Sequence, residues 1–367
     1  MIKTENKISQ FQLFFLIMQT QIGIGIIYLP YEVNKISGSD AWISVFIAGM
    51  FVQIGILIIW LLCRRYPEQT IFEVMSMIVG KPIGFLLKVG YTSYFLLSAI
   101  LITLQFGEKV NTWILPRTPI WVISFLLIAI CIFCIKESLK VIARFFVVVS
   151  LLLVVLLAFT FLILRDIHIL FVQPIGVNGV YKILKGASQG SFSFQGFESL
   201  LVILPYCLGK GVGKLKVALS ASGFTIIFYT YLTFITITYF GTEALRFIPE
   251  PVLYIMKFKY LEIIDRVDLI FFSIWIVSVA TSVMMFLYLA SIGMTHLFGK
   301  TKRTPFVYCL GALTFITVSL IPVNGQVIHT IGFTSNLYSI VFTFILPIIL
   351  LIVSVVRRQK VQEDIPS

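Results

Sequence analysis

Long apolar segments recur along the whole chain, with short polar stretches between them. An α-helix needs about 20 mainly apolar residues to cross the hydrocarbon core of a bilayer. Ten segments approach this length, and the fourth and ninth are the shortest. The predicted spans are 9–31, 41–62, 83–107, 120–135, 141–164, 183–208, 217–241, 269–295, 305–322 and 337–356. The pattern therefore predicts an all-α membrane protein with ten transmembrane helices.

Lysine and arginine are distributed unevenly between the two sides of this predicted bundle. If the amino terminus is cytoplasmic, most of the 28 basic residues fall in cytoplasmic segments, including clusters at 63–65, 209–216, 299–303 and 357–360. Cytoplasmic loops of membrane proteins carry such an excess. The sequence therefore predicts a multi-pass protein with a cytoplasmic amino terminus and a cytoplasmic tail at 359–367.

Composition narrows the possible functions. Hydrophobic residues make up 59% of the chain and charged residues 12%, whereas soluble domains carry about 25% charged residues. Basic loops account for the excess positive charge, so the lipid bilayer is the expected surrounding and no nucleic acid partner is expected. Five cysteines, an odd number, imply no disulfide framework. No nucleophile–base pair, phosphate loop or metal-ligand spacing is visible, so we predict no enzyme, no catalytic residues, no metal and no cofactor.

Ten spans divide into two groups of five, and an odd number per group gives the two groups opposite orientations in the membrane. Inverted repeats of this kind occur in many secondary transporters, which bind ligands near the bilayer midplane. We therefore predict one transmembrane domain over 1–367, with pseudo-repeats at 8–166 and 167–358.

Glycines interrupt the first span of each predicted half. The first contains QTQIGIGI and the sixth contains GASQGSFSFQGFESLLVILP, whereas the fifth, VIARFFVVVSLLLVVLLAFTFLIL, is uninterrupted. Unwound backbone within a membrane is tolerated only against protein or a cavity. Paired interruptions indicate a binding site, so we predict broken first and sixth helices around a ligand. For Gly23 and Gly25 alone, close helix packing is the alternative.

Glu198 is the only acidic residue well inside a predicted span. A charge at the bilayer centre costs roughly 2.5–3.5 kcal/mol on insertion scales, so such a residue faces a cavity or a partner. One interpretation is a group that responds to protons or cations. The other is a structural hydrogen-bonding group, which the lack of a second intramembrane charge favours.

The third and eighth spans supply further polar residues for the predicted pocket. Thr281 and Ser282 follow Ser278 by three and four residues, so both can share a helix face with it. Hydrogen bonding to their own or a neighbouring helix is the alternative role. The candidate ligand-binding residues are Gly23, Ile24, Gly25, Ile26, Tyr94, Ser98, Ser193, Phe194, Gly196, Glu198, Ser278, Thr281 and Ser282. They predict a small, uncharged, partly aromatic pocket for a small polar nutrient.

Six short motifs occur in an order that is typical of one family. They are GIGIIYLP at 23–30, DAW at 40–42, RTPI at 117–120, VQPI at 172–175, GFESLLVILP at 196–205 and DRVD at 265–268. Over 8–358 the chain resembles the spore germination permease family, the B subunits of nutrient germinant receptors within the amino acid–polyamine–organocation superfamily.

The resemblance implies a sensor of a nutrient such as an amino acid or sugar, located in the spore inner membrane. It also implies partner A and C subunits, through which nutrient binding triggers germination. A proton- or cation-coupled amino acid permease is the alternative function. A structural subunit that seats the A subunit is a third.

Overall fold

The computed structural model describes residues 7–258, 266–322 and 325–358, and within these ranges the chain is built from helices. The first part contains α1 Gln10–Gln21, α2 Gly25–Ser37, α3 Ala41–Arg65, α4 Ile71–Val79, α5 Lys81–Trp113, α6 Ile120–Ile135 and α7 Leu139–Phe161. The second part contains α8 Gly179–Ser191, α9 Leu200–Ile203, α10 Gly211–Phe240, α11 Thr242–Leu245, α12 Pro251–Phe258, α13 Val267–Phe298, α14 Thr304–Leu320, α15 Gly325–Ile340 and α16 Leu346–Val356. The predicted tail at 359–367 lies outside the described residues.

Six helical stretches of the described chain are long and apolar enough to cross a membrane. They are Gly25–Arg65, Lys81–Trp113, Leu139–Asp166, Gly211–Phe240, Val267–Phe298 and Gln326–Val356, and shorter apolar helices cover Ile120–Ile135, Phe197–Tyr206 and Thr304–Leu320. The protein is therefore all-helical and crosses the membrane several times. Its five cysteines are free thiols.

The first predicted span is broken between α1 and α2. Ser9 starts α1 through a capping box, in which its hydroxyl accepts from the Gln12 backbone N–H and the Gln12 side-chain oxygen Oε1 accepts from the Ser9 N–H. The helix ends at Gln21 because Ile22 is extended, with φ −88° and ψ 95°. The next helix begins at Gly25.

The sixth predicted span is broken after α8. A 3-10 turn over Phe192–Phe194 follows the helix, Gln195 is non-helical with φ −54° and ψ 148°, and Gly196 has φ +119°. Short helical turns then continue from Phe197 to Tyr206. Both interruptions lie where the glycines predicted them, whereas α7 runs unbroken from Leu139 to Phe161.

The long helix α13 lies at the centre of the bundle. All its residues from 278 to 293 are buried, on every face, as expected of a helix surrounded by protein. It packs against α5, α6, α7, α14 and α1, and α1 also packs against α10. The first break is therefore held between α10 and α13.

Several helices extend beyond the predicted spans. α2 reaches Ser37, α5 reaches Trp113, and α15 begins at Gly325 rather than at residue 337. Glu32 and Glu108 therefore belong to helices, each five residues from the helix end, rather than to the loops in which the predicted spans placed them. The ends of these helices contain polar residues. Because the span limits were predicted from apolar content, the predicted spans stopped short of the helix ends. A π-helical turn at Val341–Ile345 separates α15 from α16, just before a proline that lacks an N–H.

The segment before α1 is attached to the end of the sixth span. The Ile8 N–H donates to the Tyr206 carbonyl at 2.8 Å, and the Leu208 N–H donates to the Ile8 carbonyl at 2.9 Å. These two bonds form an isolated parallel bridge between Ile8 and Cys207. The beginning of the first span and the end of the sixth are thus joined through their backbones.

Candidate functional site

The two helix breaks lie directly against each other. A Cβ atom at Gly196 would lie 2.8 Å from Thr20 Cγ2 and 2.9 Å from the Thr20 carbonyl carbon. Gln21 Nε2 donates to the Phe194 carbonyl at 3.0 Å, which provides a partner for backbone at the second break. Glycine is required at 196 both by its positive φ and by this close approach.

Hydroxyls of α13 contact carbonyls at the end of α1. Ser282 Oγ donates to the Thr20 carbonyl at 3.0 Å, whereas Thr281 Oγ1 lies 3.2 Å from the Gln19 carbonyl and 2.7 Å from the Ser278 carbonyl of its own helix. The last carbonyls of a helix have no partner within the helix, and burying them unpaired is costly. The polar stripe predicted on this span therefore serves, at least in part, to cap broken backbone.

Two aromatic side chains satisfy the next carbonyls along the break. The Tyr229 hydroxyl donates to the Gln21 carbonyl at 2.9 Å, and Trp275 Nε1 donates to the Gly23 carbonyl at 3.2 Å. Both side chains are fully buried. Carbonyl groups at this break are thus occupied by the protein itself, which explains how the unwound segment is stable within the bundle.

Glu198 connects the second break to α5. Its Oε1 accepts from the Tyr94 hydroxyl at 2.7 Å and its Oε2 accepts from the Gly196 N–H at 2.8 Å. The side chain is fully buried, and it does not line the large cavity described next. These are the contacts that the structural interpretation of Glu198 requires.

A cavity of about 430 Å³ extends from the breaks toward the far end of α2. Its lining includes six of the candidate residues: Gly23, Ile24, Gly25, Ser98, Ser193 and Ser282. Seven other candidates do not line it: Ile26, Tyr94, Phe194, Gly196, Glu198, Ser278 and Thr281. These seven are buried behind the lining.

The start of α2 presents unpaired N–H groups to this cavity. Ile24 and Gly25 both line it, and in the described chain their N–H groups have no hydrogen-bond acceptor. The first N–H groups of a helix point along its axis and carry partial positive charge, so they attract anionic groups. At the first break, therefore, the carbonyl groups before α2 have hydrogen-bond donors, whereas the N–H groups that begin α2 are left for a ligand.

The end of the cavity away from the breaks is charged. Lys109 Nζ lies 2.6 Å from Glu250 Oε1 and 3.3 Å from Glu108 Oε2, with the Lys109 and Glu250 side chains only 8% and 9% exposed. The Tyr28 hydroxyl donates to Glu108 Oε2 at 3.2 Å, and Lys109 Nζ lies 4.9 Å from the Tyr28 ring centre. The prediction of an uncharged pocket was wrong at this end. In the described chain, no group of three or more His, Cys, Asp or Glu residues is placed to hold a metal ion.

A family model described as spore germination protein matches residues 7–327. The chain belongs to this family. The resemblance predicted from the motifs is thereby confirmed, and the protein is a membrane protein of the spore germination family.

Curated relatives extend over most of the chain. Spore germination protein GerQB of Bacillus cereus is 29% identical over 304 residues, which cover 82% of this chain and 83% of the relative. Spore germination protein YndE of Bacillus subtilis (strain 168) is 26% identical and covers 98% of this chain and 99% of its own. These matches show that family membership applies to nearly the whole chain.

The fold is shared with a solved structure. The crystal structure of MhsT in complex with L-phenylalanine matches with a TM-score of 0.67 and 16% sequence identity, covering 94% of this chain and 98% of MhsT. At this identity the match shows a common fold. In this protein, the shared fold includes the breaks in the first and sixth spans.

Several residues lining the cavity escaped the sequence prediction. They include Tyr28, Glu32, Lys35, Glu108, Lys109, Gln189 and Phe286. The first and third spans were ended too early, at 31 and 107, so their charged residues were assigned to loops. A signal was present, because Ser98, Gln105 and Glu108 follow one another at spacings of seven and three and therefore share a helix face.

Replacing Tyr229 by phenylalanine is expected to destabilise this family member by about 1–3 kcal/mol, the cost of leaving a buried carbonyl unpaired. The carbonyl is that of Gln21, which the hydroxyl caps. Thermal melting of the purified protein in detergent measures the loss. Tyr231→Phe is the matched control, because its hydroxyl receives only a long 3.5 Å contact from Thr160, which also donates to the Leu157 carbonyl. Equal melting temperatures for both variants would contradict the capping role.

Proposed function

We propose that this protein is the nutrient-sensing subunit of a spore germinant receptor and binds an amino acid at the first helix break. The observation that carries the proposal is the pair of unpaired N–H groups at Ile24 and Gly25, which face a cavity of about 430 Å³. Ligand pockets of roughly 300–1,000 Å³ are typical of small-molecule sites. The start of α2 would receive the carboxylate of the amino acid.

The rest of the cavity fits the remaining groups of an amino acid. Phe192, Phe286 and Ile102 provide apolar lining for a side chain. Glu32 and Glu108 also line the cavity. Glu32 lies seven residues beyond Gly25, roughly 10 Å along α2, so it can receive a polar or cationic end of the ligand's side chain but not the α-ammonium of an amino acid whose carboxylate is held at Gly25. The fold of MhsT, which was solved in complex with L-phenylalanine, supports an amino acid as the ligand class.

The proposal includes an arrangement in the membrane. It places ten spans in two inverted repeats, 8–166 and 167–358, with a cytoplasmic amino terminus in the spore inner membrane. Support comes from the two breaks in corresponding spans and from the basic clusters at one set of helix ends. The cavity would then open toward the side opposite the amino terminus.

Signalling in this proposal passes to A and C subunits. A ligand shifts a conformational equilibrium only by the difference between its affinities for the two states. A shift from 1:99 to 99:1 requires a difference of about 10⁴-fold in affinity. The nutrient would therefore bind one arrangement of the bundle much more tightly, and the A subunit would read that arrangement.

A proton- or cation-coupled amino acid permease is the second candidate function. The observation that favours it is the presence of Glu32 and Glu108 on the cavity lining, where carboxylates can exchange protons or hold a cation. Uptake distinguishes the two functions. A sensor reconstituted alone in proteoliposomes binds its amino acid without concentrating it, whereas a coupled permease accumulates the amino acid when an ion gradient is applied.

Ser193→Leu is expected to weaken amino acid binding at least tenfold, because it places a large side chain in the cavity beside Gly25. Ser193 lines the cavity, and a Cβ at Gly25 would lie 3.0 Å from the Ser193 Cβ. Isothermal titration of the purified protein with a panel of amino acids first finds the ligand and then compares the variant.

Ser188→Leu is the matched control, since Ser188 lies five residues before Ser193, within α8, and is exposed on the outer surface of that helix. It is expected to bind as the unmodified protein does. A folded Ser193→Leu protein with unchanged affinity would overturn the proposed site. Folded protein that binds none of the amino acids, yet supports germination with its partners, would favour the structural subunit instead.

A further inference from the structure

A second cavity lies at the opposite end of the bundle from the first. Its volume is about 290 Å³. It is bounded by the turn between α6 and α7, the end of the sixth span, the last turns of α13 and the segment before α14. The residues that matter here are Lys136, Glu137, Tyr288, His296 and Arg303. The proposed nutrient site uses none of them.

Arg303 is a half-buried cation that contacts only neutral groups. Its Nη2 donates to the Glu137 carbonyl at 2.7 Å, its Nη1 donates to Ser291 Oγ at 3.2 Å, and its guanidinium lies 4.4 Å from the Tyr288 ring centre. Within the described chain it forms no ion pair with a carboxylate. Burial lowers the pKa of the Arg303 guanidinium from its ordinary value, because desolvation disfavours the charge. The Glu137 carboxylate partly offsets this effect without forming an ion pair, and an anion held directly beside the half-buried guanidinium would be more strongly stabilising.

Further donors face the same space. Tyr288 is 5% exposed and lines the cavity, and among the described residues its hydroxyl has no hydrogen-bond partner. His296 adds an imidazole, and Lys136 also lines the cavity, with its Nζ 4.5 Å from the centre of the Phe133 ring. Glu137 is the opposing charge on the lining, and its carboxylate forms no ion pair with Arg303 in the described chain.

Two long helices begin at this cavity. Leu139, the first residue of α7, and Thr304, the first residue of α14, both line it. Their N–H groups have no acceptor among the described residues. Helix N-termini favour negative charge. The two N-termini and the Arg303 guanidinium therefore all attract an anion into this cavity.

We propose that this cavity binds a phosphate group. A phosphate carries more acceptor oxygens than a carboxylate, and the cavity offers a guanidinium, a phenol hydroxyl and two helix N-termini as donors. The phosphate comes either from a soluble phosphate anion or from the headgroup of a membrane phospholipid. This site is independent of the proposed nutrient pocket and of its function.

Thermal melting in a neutral, phosphate-free detergent tests the proposal. Sodium phosphate, compared with sodium chloride at equal ionic strength, is expected to raise the melting temperature in a saturable way. The matched ionic strength removes general screening as the cause. In a separate arm, phosphatidylglycerol is titrated into the micelles, with a diacylglycerol of the same chains as the phosphate-free control. A response to phosphate identifies a soluble source, and a response to phosphatidylglycerol alone identifies the lipid.

Arg303→Gln is expected to lower the apparent affinity for the responding phosphate at least tenfold. Lys302→Gln removes the same charge from the neighbouring exposed position and is expected to respond as the unmodified protein does. Should Arg303→Gln not fold, Tyr288→Phe decides, because it removes only the unpaired hydroxyl and should weaken affinity several-fold. The proposal is overturned if neither phosphate source stabilises the protein, if the Arg303 and Lys302 variants respond alike, or if Tyr288→Phe leaves the affinity unchanged.

Discussion

Gly196→Ala is expected to destabilise the protein severely, by roughly 2–6 kcal/mol. Two effects combine at this residue. A φ of +119° is a conformation that residues with a Cβ rarely adopt. The added methyl would also lie 2.8–3.0 Å from the side chain and backbone of Thr20, and backbone at the first break cannot rotate away as a side chain can. Folding free energies are themselves only about 5–15 kcal/mol, so little folded protein should remain.

Gly223→Ala provides the control for this experiment. Gly223 lies within α10, and a Cβ there would contact only Gln53 Nε2, at 3.7 Å. Alanine is favoured over glycine within a helix by about 1 kcal/mol, so this variant should melt at or above the temperature of the unmodified protein. The yield of monodisperse protein in detergent and its melting temperature measure both variants. If Gly196→Ala melted like Gly223→Ala, the two breaks would not be in contact.

Glu198→Ala is the second substitution with a large expected effect. It removes the acceptor of both the Tyr94 hydroxyl and the Gly196 N–H. Each buried donor left unpaired costs about 1–3 kcal/mol, so the combined loss is roughly 2–6 kcal/mol. Melting temperature again measures the loss, and the binding of any identified amino acid should weaken with it, because the second break would no longer be held.

Glu198→Gln distinguishes hydrogen bonding from charge. The amide oxygen of glutamine can accept from the Gly196 N–H while its NH₂ group donates to the Tyr94 oxygen. The structural role therefore predicts that Glu198→Gln retains most of the stability that Glu198→Ala loses. A Gln variant that folds and binds an amino acid but no longer takes it up with an ion gradient would instead support the permease.

Apolar length and glycine placement made the main features of the fold predictable. The fourth predicted span, 120–135, coincides with α6, and the interruptions at 19–26 and 186–205 coincide with the two breaks. Both signals are local, because membrane thickness sets the length of a span and a glycine weakens the helix in which it stands. Six of the thirteen candidate residues could therefore be placed on the cavity lining from the sequence.

Contacts between distant segments were beyond this prediction. Tyr229 and Trp275 cap carbonyls more than 200 residues away, and helical periodicity does not encode such partners. The same limit explains why Tyr94 and Glu198 were taken for lining residues. Each is polar and lies within a span, but a mutual hydrogen bond turns both away from the cavity.

The backbone bridge at Ile8 constrains how this bundle can change shape. An outward swing of α1, the half-helix before the first break, is one such change of shape. Here such a swing must either rupture both hydrogen bonds that Ile8 makes with Tyr206 and Leu208 or carry the end of the sixth span with it. The segment before α1 and the end of the sixth span are therefore expected to move together, as one unit, whenever both bonds stay intact.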